Sequence, residues 1–538
     1  MNRKEKSLRI RGEWTCKQCN EKFYETTQPT VCKCRRGDFY FSGSREEEVV
    51  KITVEGVHYE TICDENNNVS FAFLTESGSP NITAFVDDED KNIRFVPIFK
   101  KKIMKKDATV VIFPEIPVEY GSDSELVHEI KSFIHRYLDI SSEHEMFATQ
   151  YILLSWVYEA LTTIPYLSAR GDFSTGKSRY LDTIGDLCYL PIHANGATTD
   201  SPIFRLIGTF GGTLVAEEID KEKSDTTQML TKIINLGYEK KNSILRSDKE
   251  DPNEIESFNV FGPKVFSRRF EFQDKATESR CITELMCDTT REDIPIQLPQ
   301  KFFEEQKVLR NKLLMFRLRN LQKVDPNAIE KIRLPKQLDS RIRQGLASFA
   351  ILFHNNEEIF TQFLDFAKKH QLKIKEELST SIEGQIAQFL FDYKEAPKEQ
   401  QEKIQPQLIA KCLSEKSNKP LTPNFIGVRL KSLGVKTVQG HEEEGGKRKT
   451  IRHIVWDEPL FERIFLKYLP EYWIEKNKDY FDTEAQSLVP AVPNVPVVPS
   501  SIHLAQAAQV AQPAQRSPIT HETDPEPNSE EIVPRELI

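Results

Sequence analysis

The sequence predicts an α/β core, flanked by a small cysteine-bearing, β-rich N-terminal part and by a C-terminal module of helices and a hairpin. Three observations lead to this prediction. A short strand, a glycine-rich turn and an amphipathic helix follow one another near residue 171. Two close cysteine pairs precede residue 35, and helical periodicity after residue 381 gives way to two strand-like runs joined at Gly445-Gly446.

Length and composition limit the protein class. A chain of 538 residues suggests three or four domains, and a net charge of -9 argues against a uniformly basic nucleic-acid coat. We expect no secretory signal, because no apolar run follows the first residues, and no membrane span, because the most apolar run, 151–158, is too short. Nine cysteines without a disulfide framework favour a reducing compartment, so the expected location is the cytoplasm.

The first 38 residues are expected to form a zinc ribbon. Cys16 and Cys19 form one close pair, and Cys32 and Cys34 form a second pair after a segment long enough for a hairpin. Four thiolates would close a tetrahedral structural Zn²⁺ site. The alternative is two unconnected thiol pairs, and the basic residues around them suit DNA contact or mere solubility.

Residues 39–120 are predicted to form a small β-rich domain, since short alternating runs are separated by Asp, Asn, Gly and Ser clusters. No catalytic constellation stands out there, so a spacer role is expected. Ser122 and Glu125 then form a capping-box pattern that opens a helix and begins the core, residues 121–290. Trp156 and Tyr158 are expected to be core residues rather than a base-stacking platform.

The turn after the strand 165–170 matches the phosphate-loop pattern G-x-x-x-x-G-K-[ST] at every specified position. The glycines let backbone N–H groups face phosphate oxygens, the lysine would contact the β- and γ-phosphates, and the final serine would bind Mg²⁺. A chance glycine-rich turn is the alternative. The predicted nucleotide-binding residues are Gly171, Asp172, Phe173, Ser174, Thr175, Gly176, Lys177 and Ser178.

A second nucleotide signature follows, an apolar strand that begins at Gly212 and ends in two acids, Glu217 and Glu218. One acid at such a strand end holds Mg²⁺, and the next orients the water that attacks the γ-phosphate. We assign Glu217 to the metal and Glu218 to the water. Alone, the pattern is equally that of a strand capped by solvated acids.

The order of these motifs, followed by a third strand ending at Ser267 and by Ser279-Arg280, resembles AAA+ ATPases over residues 122–349. The likeness is to the replicative helicases of mobile elements and to the minichromosome-maintenance type. It implies that Ser267 senses the γ-phosphate and that Arg280 reaches a neighbouring subunit's nucleotide, in a ring expected to be a hexamer. The chain departs from the pattern at Glu217, where Asp is usual, and at Ser267, where Asn or Thr is commoner.

The resemblance also implies roles for two further segments. The insert between the acids and the third strand corresponds to a pore hairpin, so Lys240 and Lys241 are candidate DNA contacts, with a solvated loop as the alternative. Residues 291–372 would form a helical lid, whose Arg341 is the candidate to touch the nucleotide of its own subunit.

After an expected linker from Lys373, residues 381–470 show three helical patterns and a hairpin, the order of a winged helix. Arg429 and Lys431 could face a DNA groove, although such a module also serves protein contacts. Residues 487–538 are rich in proline with little periodicity and are expected to be a disordered tail.

Together these observations predict an ATPase with ATP, Mg²⁺ and Zn²⁺ as cofactors. It would act as an oligomeric DNA translocase or helicase in replication, expected to serve a mobile element. The alternatives are an ATP-dependent initiator, loader or defence switch, and a non-hydrolysing DNA-binding scaffold.

Overall fold

The computed structural model describes residues 12–16, 22–25, 39–41, 45–88, 93–104, 110–194, 200–219, 225–247, 255–272, 274–353, 356–396, 404–417, 420–444, 447–478 and 480. The chain divides into two units, Met1–Pro490 and Ala491–Ile538, and every described residue belongs to the first. The expected tail, residues 487–538, lies outside the described residues and stays a prediction. Within the described part, no helix has both the length and the apolarity needed to cross a bilayer.

Three short strands near the N-terminus form an antiparallel sheet in the order β2-β1-β3: β1 (Gly12–Cys16), β2 (Lys22–Glu25) and β3 (Phe39–Phe41). Cys16 ends β1 and is buried. Cys19, Cys32 and Cys34 lie outside the described residues, so the zinc site also stays a prediction. The sheet reaches Phe41, beyond the boundary expected at residue 38.

Two further sheets follow, built from β4 (Arg45–Val49), β5 (Lys51–Val54), β6 (Val57–Cys63), β7 (Val69–Leu74), β8 (Pro80–Thr83), β9 (Val86–Asp88) and β10 (Ile93–Pro97). The strands β5-β6-β7-β8 form an antiparallel meander, whereas β4 pairs in parallel with β10 and β10 pairs with β9. A small apolar core of Val54, Phe71, Val86 and Phe95 holds the two sheets together. A short helix, α1 (Lys101–Met104), leads away from them.

Two helices precede the central sheet, α2 (Asp123–Tyr137) and α3 (Ser142–Ser155). The predicted capping box is present at the start of α2: the Ser122 hydroxyl accepts from the Glu125 N–H, and the Glu125 carboxylate accepts from the Ser122 N–H. Trp156 and Tyr158 are buried, and the Trp156 indole N–H donates to the Leu187 carbonyl at 2.9 Å. Both aromatic residues therefore belong to the core, as predicted.

The central layer is a five-stranded parallel sheet in the order β12-β13-β16-β11-β17. Its strands are β11 (Tyr166–Arg170), β12 (Ile192–Ala194), β13 (Leu214–Ala216), β16 (Lys264–Arg268) and β17 (Cys281–Leu285). The helices between them are α4 (Lys177–Ile184), α5 (Asp200–Phe210), α6 (Asp225–Leu236) and α7 (Lys275–Glu278), and an antiparallel pair, β14 (Ser243–Ser247) with β15 (Ile255–Asn259), lies between β13 and β16 in the chain. This architecture confirms the predicted α/β core.

The topology gathers the predicted site residues at one edge. In a parallel sheet the carboxyl ends of all strands meet on the same side, and open α/β sheets bind their ligands there. The phosphate loop follows β11, the paired acids follow β13, and Ser267 stands near the end of β16, which pairs with both. These three segments are separated in sequence but adjacent in space.

The remaining helices are α8 (Gln300–Asn320), α9 (Ser340–Phe353), α10 (Glu357–Thr380), α11 (Ile382–Glu395), α12 (Pro406–Ser417), α13 (Pro423–Ser432), α14 (Glu458–Tyr468) and α15 (Pro470–Lys476). An antiparallel pair, β18 (Thr437–Glu444) with β19 (Lys447–Ile454), follows α13. Helices α11 to α15 share an apolar core of their own that includes Ile386, Leu390, Ile426 and Phe461.

The linker expected from Lys373 is wrong in structural terms. Residues 373–380 are the last turns of α10, and Ser381 alone separates α10 from α11. The composition misled because Lys and Glu are good helix formers as well as typical linker residues. Lys375 shows the packing directly: it is 2% exposed, and its ammonium donates to the Leu466 carbonyl of α14 at 2.7 Å.

Candidate nucleotide site

The turn after β11 has the backbone geometry that a phosphate-binding loop requires. Gly176, directly before α4, has a φ of +84°, a left-handed conformation that glycine adopts without strain. A Cβ on Gly171 would lie 2.6 Å from the Met286 carbonyl oxygen, so only glycine fits there. The helix α4 begins at Lys177, which directs free N–H groups and the positive end of the helix dipole toward the loop.

Lys177 is held at the centre of this loop. It is 8% exposed, and its ammonium donates to the Asp172 carbonyl. The Thr175 hydroxyl donates to the same carbonyl at 2.9 Å. The loop therefore closes around the lysine, whose positive charge lies inside the turn.

The phosphate loop and the first acid are in direct contact. Ser178, in the first turn of α4, donates its hydroxyl to Oε1 of Glu217, which follows β13. The Glu217 N–H donates to the Ala194 carbonyl of β12 at 3.1 Å, which fixes the backbone of the acid. A hydroxyl and a carboxylate oxygen side by side are the hard ligands that Mg²⁺ prefers, so these two residues fit the predicted metal site.

The surroundings of this pair carry charges of both signs. Asp182 lies on α4, where burial and then the neighbouring Asp186 carboxylate raise its pKa to about 6, with Glu217 adding to the effect. His193, which pairs with Asp186 at 2.8 Å, and Arg179 oppose it. Among the described residues, no group of three or more His, Cys, Asp or Glu side chains is placed to hold a metal ion.

Glu218 and Ser267 are also adjacent. The Glu218 N–H donates to Oγ of Ser267 at 3.2 Å, and the Ile219 N–H donates to the Ser267 carbonyl at 3.2 Å. Ser267 is fully buried. Glu218 has a φ of +51°, a left-handed conformation that costs a residue with a Cβ about 1 to 3 kcal/mol and persists where the surroundings impose it.

Sequence reasoning missed Arg269, which lies in the same place. Its Nη2 donates to Oε1 of Glu218 at 2.9 Å, and its guanidinium carbon lies 3.6 Å from the ring centroid of Phe173 in the phosphate loop. A signal was available, because Arg269 directly follows β16, the strand that ends at Arg268 and pairs with the strand before the phosphate loop. An arginine in contact with both the loop and the second acid is part of the site.

The neighbouring Arg268 points the other way and is structural. It is fully buried and makes a two-pronged ion pair with Glu278, at 2.6 Å for each bond, and its Nε donates to Oγ of Ser168 at 2.9 Å. Glu278 lies two residues before Arg280. Arg268 therefore ties the end of β16 to the segment that carries Arg280.

The structure does not bring Arg280 to the phosphate loop of its own chain. Its carbonyl accepts from the N–H of Tyr166, the first residue of β11, whereas the loop follows the last residue of that strand. At 3.3 Å per residue these two ends are about 13 Å apart. The guanidinium donates to the Ala276 carbonyl and lies 5.5 Å from the Tyr238 ring centroid. An arginine at this edge cannot serve its own site without a large rearrangement.

Arg341 lies beside Arg280 and not beside the loop. Its guanidinium carbon is 6.0 Å from the Tyr238 ring centroid, on α9, and it donates to the Gln344 side chain at 3.1 Å. The suggestion that Arg341 touches the nucleotide of its own subunit is therefore not supported by its position. The role was assigned to Arg341 from its position in the sequence. Sequence position does not determine which edge of the sheet α9 packs against.

The basic residues suggested for DNA contact divide into engaged and exposed groups. Lys240 donates its ammonium to the Glu159 carbonyl at 2.6 Å, whereas Lys241 is 79% exposed beside Glu239. In the C-terminal module, Arg429 pairs with Glu383 at 3.0 Å. Lys431 instead lines a groove of about 780 Å³ between α13 and the pair β18–β19.

No protein-family model matches the chain, and no curated protein matches it. Distant similarity to solved structures exists. The NrS-1 C-terminal region has a TM-score of 0.37 at 12% identity, covering 74% of this chain and 96% of its own. A full-length MCM homologue from Methanopyrus kandleri has a TM-score of 0.28 at 12% identity, covering 60% of this chain and 77% of its own. An inhibitor-bound JCV helicase has a TM-score of 0.22 at 12% identity, covering 46% of this chain and 62% of its own.

Proposed function

We propose that this chain is an ATP-hydrolysing DNA translocase or helicase that works as a ring in replication. The observation that carries the proposal is the contact between the two nucleotide motifs. Ser178 of the loop donates to Glu217 at the end of β13, and Glu218 is hydrogen-bonded to Ser267 beside it. Residues brought together in this way across a parallel sheet could hold a nucleoside triphosphate and Mg²⁺, which supports the proposal.

The roles of the residues follow from their positions. The amides of the loop, residues 171–178, and the Lys177 ammonium would bind the β- and γ-phosphates, while Ser178 and Glu217 would hold Mg²⁺. A bound Mg²⁺ would neutralise charge that develops on the phosphate oxygens. Glu218 would orient the attacking water and draw its proton, and Ser267 would fix the Glu218 backbone through the hydrogen bond from its N–H.

The place of Arg280 supports the proposal of a ring. Because Arg280 lies at the opposite edge of the sheet from its own loop, a role in hydrolysis requires that it act on a neighbouring subunit. Arg268 and Glu278 would hold its segment in position for that contact. A homo-oligomer, a hexamer in our proposal, puts each Arg280 against the next nucleotide.

A basic groove and one exposed lysine, Lys241, which pairs with Glu239 at 3.0 Å, support DNA as the partner. Lys241 lies near the base of the pair β14–β15, which we propose faces the ring's pore. In the C-terminal module, which we propose is a winged helix, Lys431, Lys436 and Arg452 line one groove. Lysine and arginine along a groove bind the phosphate backbone of nucleic acids and make the binding salt-dependent.

ATP turnover measured with and without single-stranded DNA tests the proposal. We expect Mg²⁺-dependent turnover that DNA stimulates, and loss of turnover in Lys177→Ala, which serves as the control for contaminating ATPases. Strand separation is then measured on a forked duplex. Absence of turnover in the wild-type chain with Mg²⁺ and DNA contradicts the proposal. Turnover without strand separation would instead support an initiator or loader.

A further inference from the structure

Arg269 connects the two halves of the candidate site. Its guanidinium lies 3.6 Å from the ring centroid of Phe173, a loop residue that is 69% exposed, and donates to the carboxylate of Glu218 at 2.9 Å. The Arg269 side chain is itself 24% exposed. It is thus anchored between the phosphate loop and the water-orienting acid and retains access to solvent.

This contact conflicts with the role of Glu218 as long as it persists. Oε1 of Glu218 accepts a charge-assisted hydrogen bond from Arg269, which offsets part of the negative charge of the carboxylate and makes it a weaker acceptor for the proton of water. Glu218 gains its full strength as a base only after the arginine has moved to another anion. The γ-phosphate is the anion that arrives in the site at the right moment.

We propose that Arg269 reads the γ-phosphate within its own subunit: it restrains Glu218 when that phosphate is absent and transfers to the phosphate oxygens when ATP binds, which releases Glu218 for the water. This inference rests on the proposed ATPase function and adds a sensing residue to it. ADP lacks the γ-phosphate and leaves Arg269 on Glu218.

The energetics favour such a transfer. A terminal phosphate carries more negative charge than a carboxylate and offers three acceptor oxygens to a planar guanidinium, which binds phosphate with two parallel hydrogen bonds. The stacking on Phe173 can be kept during a rotation of the fork, because a cation over a ring face is tolerant of rotation in the ring plane. A rotation of the guanidinium that keeps the stacking on Phe173 is the movement that we propose for the exchange.

Arg268 shows what a purely structural arginine looks like at the same strand end. It is 0% exposed and is bound by Glu278, Ser168, Thr283 and the Phe270 carbonyl, so its guanidinium is fixed from several sides. Arg269 differs in its exposure and in its contact with an assigned catalytic acid. Arg269 is thus the arginine of the pair that reaches both solvent and the second acid.

Binding of ATPγS and of ADP, each with Mg²⁺ and measured by calorimetry, tests the inference. Arg269→Ala should weaken ATPγS binding by about ten- to a hundredfold, the worth of a charge-assisted hydrogen bond, and change ADP binding by less than about twofold. Arg269→Lys should recover part of the ATPγS affinity. Arg170→Gln is the matched control, because Arg170 pairs with Glu271 rather than with Glu218 and should leave both affinities near wild type.

A double-mutant cycle with Glu218→Gln completes the test. If the two side chains compete as proposed, Glu218→Gln should strengthen ATPγS binding more in the wild-type background than in Arg269→Ala, since only the former holds an arginine to release. Equal effects in both backgrounds, or equal losses of ATPγS and ADP in Arg269→Ala, overturn the sensing role. A wild-type chain that binds neither nucleotide overturns the ATPase proposal as well.

Discussion

Arg317 of α8 is the buried centre of an ion-pair network that joins the N-terminal β-rich part to the core. Its guanidinium is 0% exposed and donates to Glu60 of β6 at 2.5 Å and to Glu159 at 2.8 Å. It also lies 4.0 Å from the ring centroid of Tyr189. Arg317→Met keeps the volume and removes the cation that the two carboxylates share.

The expected loss is large and depends on pH. Removing one partner of a buried ion pair costs about 3 to 5 kcal/mol, which lowers Tm by roughly 6 to 20 °C at 2 to 4 °C per kcal/mol. Burial alone would raise the pKa of Glu60 and of Glu159. At Glu60, the positive charges of Arg317, His58 and Lys51 outweigh burial, and the pKa lies well below its usual range. At Glu159, Arg317 and Lys51 outweigh burial, and the pKa falls to about 2.

The sign of the pH effect follows. In the wild type, depressed pKa values contribute stability that is present above the unfolded pKa of 4.5 and is lost as the pH falls through the folded values. In Arg317→Met burial dominates and the pKa values rise, so that protonation in mild acid relieves the buried charges. The Tm difference between wild type and variant should therefore be largest near neutral pH and should narrow toward pH 4.5.

Thermal unfolding, followed by scanning calorimetry from neutral to mildly acidic pH, measures both effects. Arg319→Met is the matched control on the same helix, because Arg319 pairs with the exposed Glu119 at 2.6 Å and should change stability by about 1 kcal/mol at most. A Tm difference for Arg317→Met that is constant with pH would refute the electrostatic reasoning. So would a loss no larger than that of the control.

The remaining predictions concern function. Lys177→Ala should lose ATP affinity, whereas Glu218→Gln should bind ATP and stop hydrolysing it, because an amide cannot take the proton of water. Calorimetry measures the affinity and phosphate release measures the turnover. Near-wild-type turnover in Glu218→Gln would mean that another acid orients the water. Metal analysis should find one zinc per chain, lost when Cys16→Ser and Cys32→Ser are combined, and a metal-free chain with a folded N-terminus would contradict the zinc ribbon. Lys431→Ala should lower the slope of log Kd against log salt for DNA by about 1 in fluorescence anisotropy, and an unchanged slope would remove Lys431 from the interface.

The core of the site was predictable because its chemistry is carried by short contiguous motifs. The loop of residues 171–178 contains its own strand-to-helix turn, and the apolar strand before Glu217 marks where the acids stand. Parallel topology then forces these motifs to one edge. Periodicity and a motif assigned both Ser178 and Glu217 to one metal site, and in the structure their side chains are in contact.

Features that depend on packing were not predictable in the same way. Arg269 and Arg268 are neighbours of the same type, yet Arg269 contacts Glu218, whereas Arg268 is buried against Glu278. The positions of α7 and of the phosphate loop determine this difference, and both positions depend on tertiary packing. Arg341 was misplaced because the docking edge of α9 is a tertiary property. The linker expected after Lys373 is helical because buried contacts, such as that of Lys375 with Leu466, select one conformation of a sequence compatible with two.

A mixing experiment tests the central claim, that each nucleotide site is completed by Arg280 of a neighbouring subunit. Lys177→Ala and Arg280→Ala are each expected to lack turnover, because one lacks the phosphate-binding lysine and the other the arginine worth about 10³- to 10⁵-fold in rate in the GTPase comparison. When the two variants are mixed and their co-assembly is confirmed by light scattering, some interfaces combine an intact Lys177 with an intact Arg280. We predict that ATPase activity partly returns on mixing. Co-assembly without any return of activity would contradict the account, since Arg280 would then act within its own chain or only in folding.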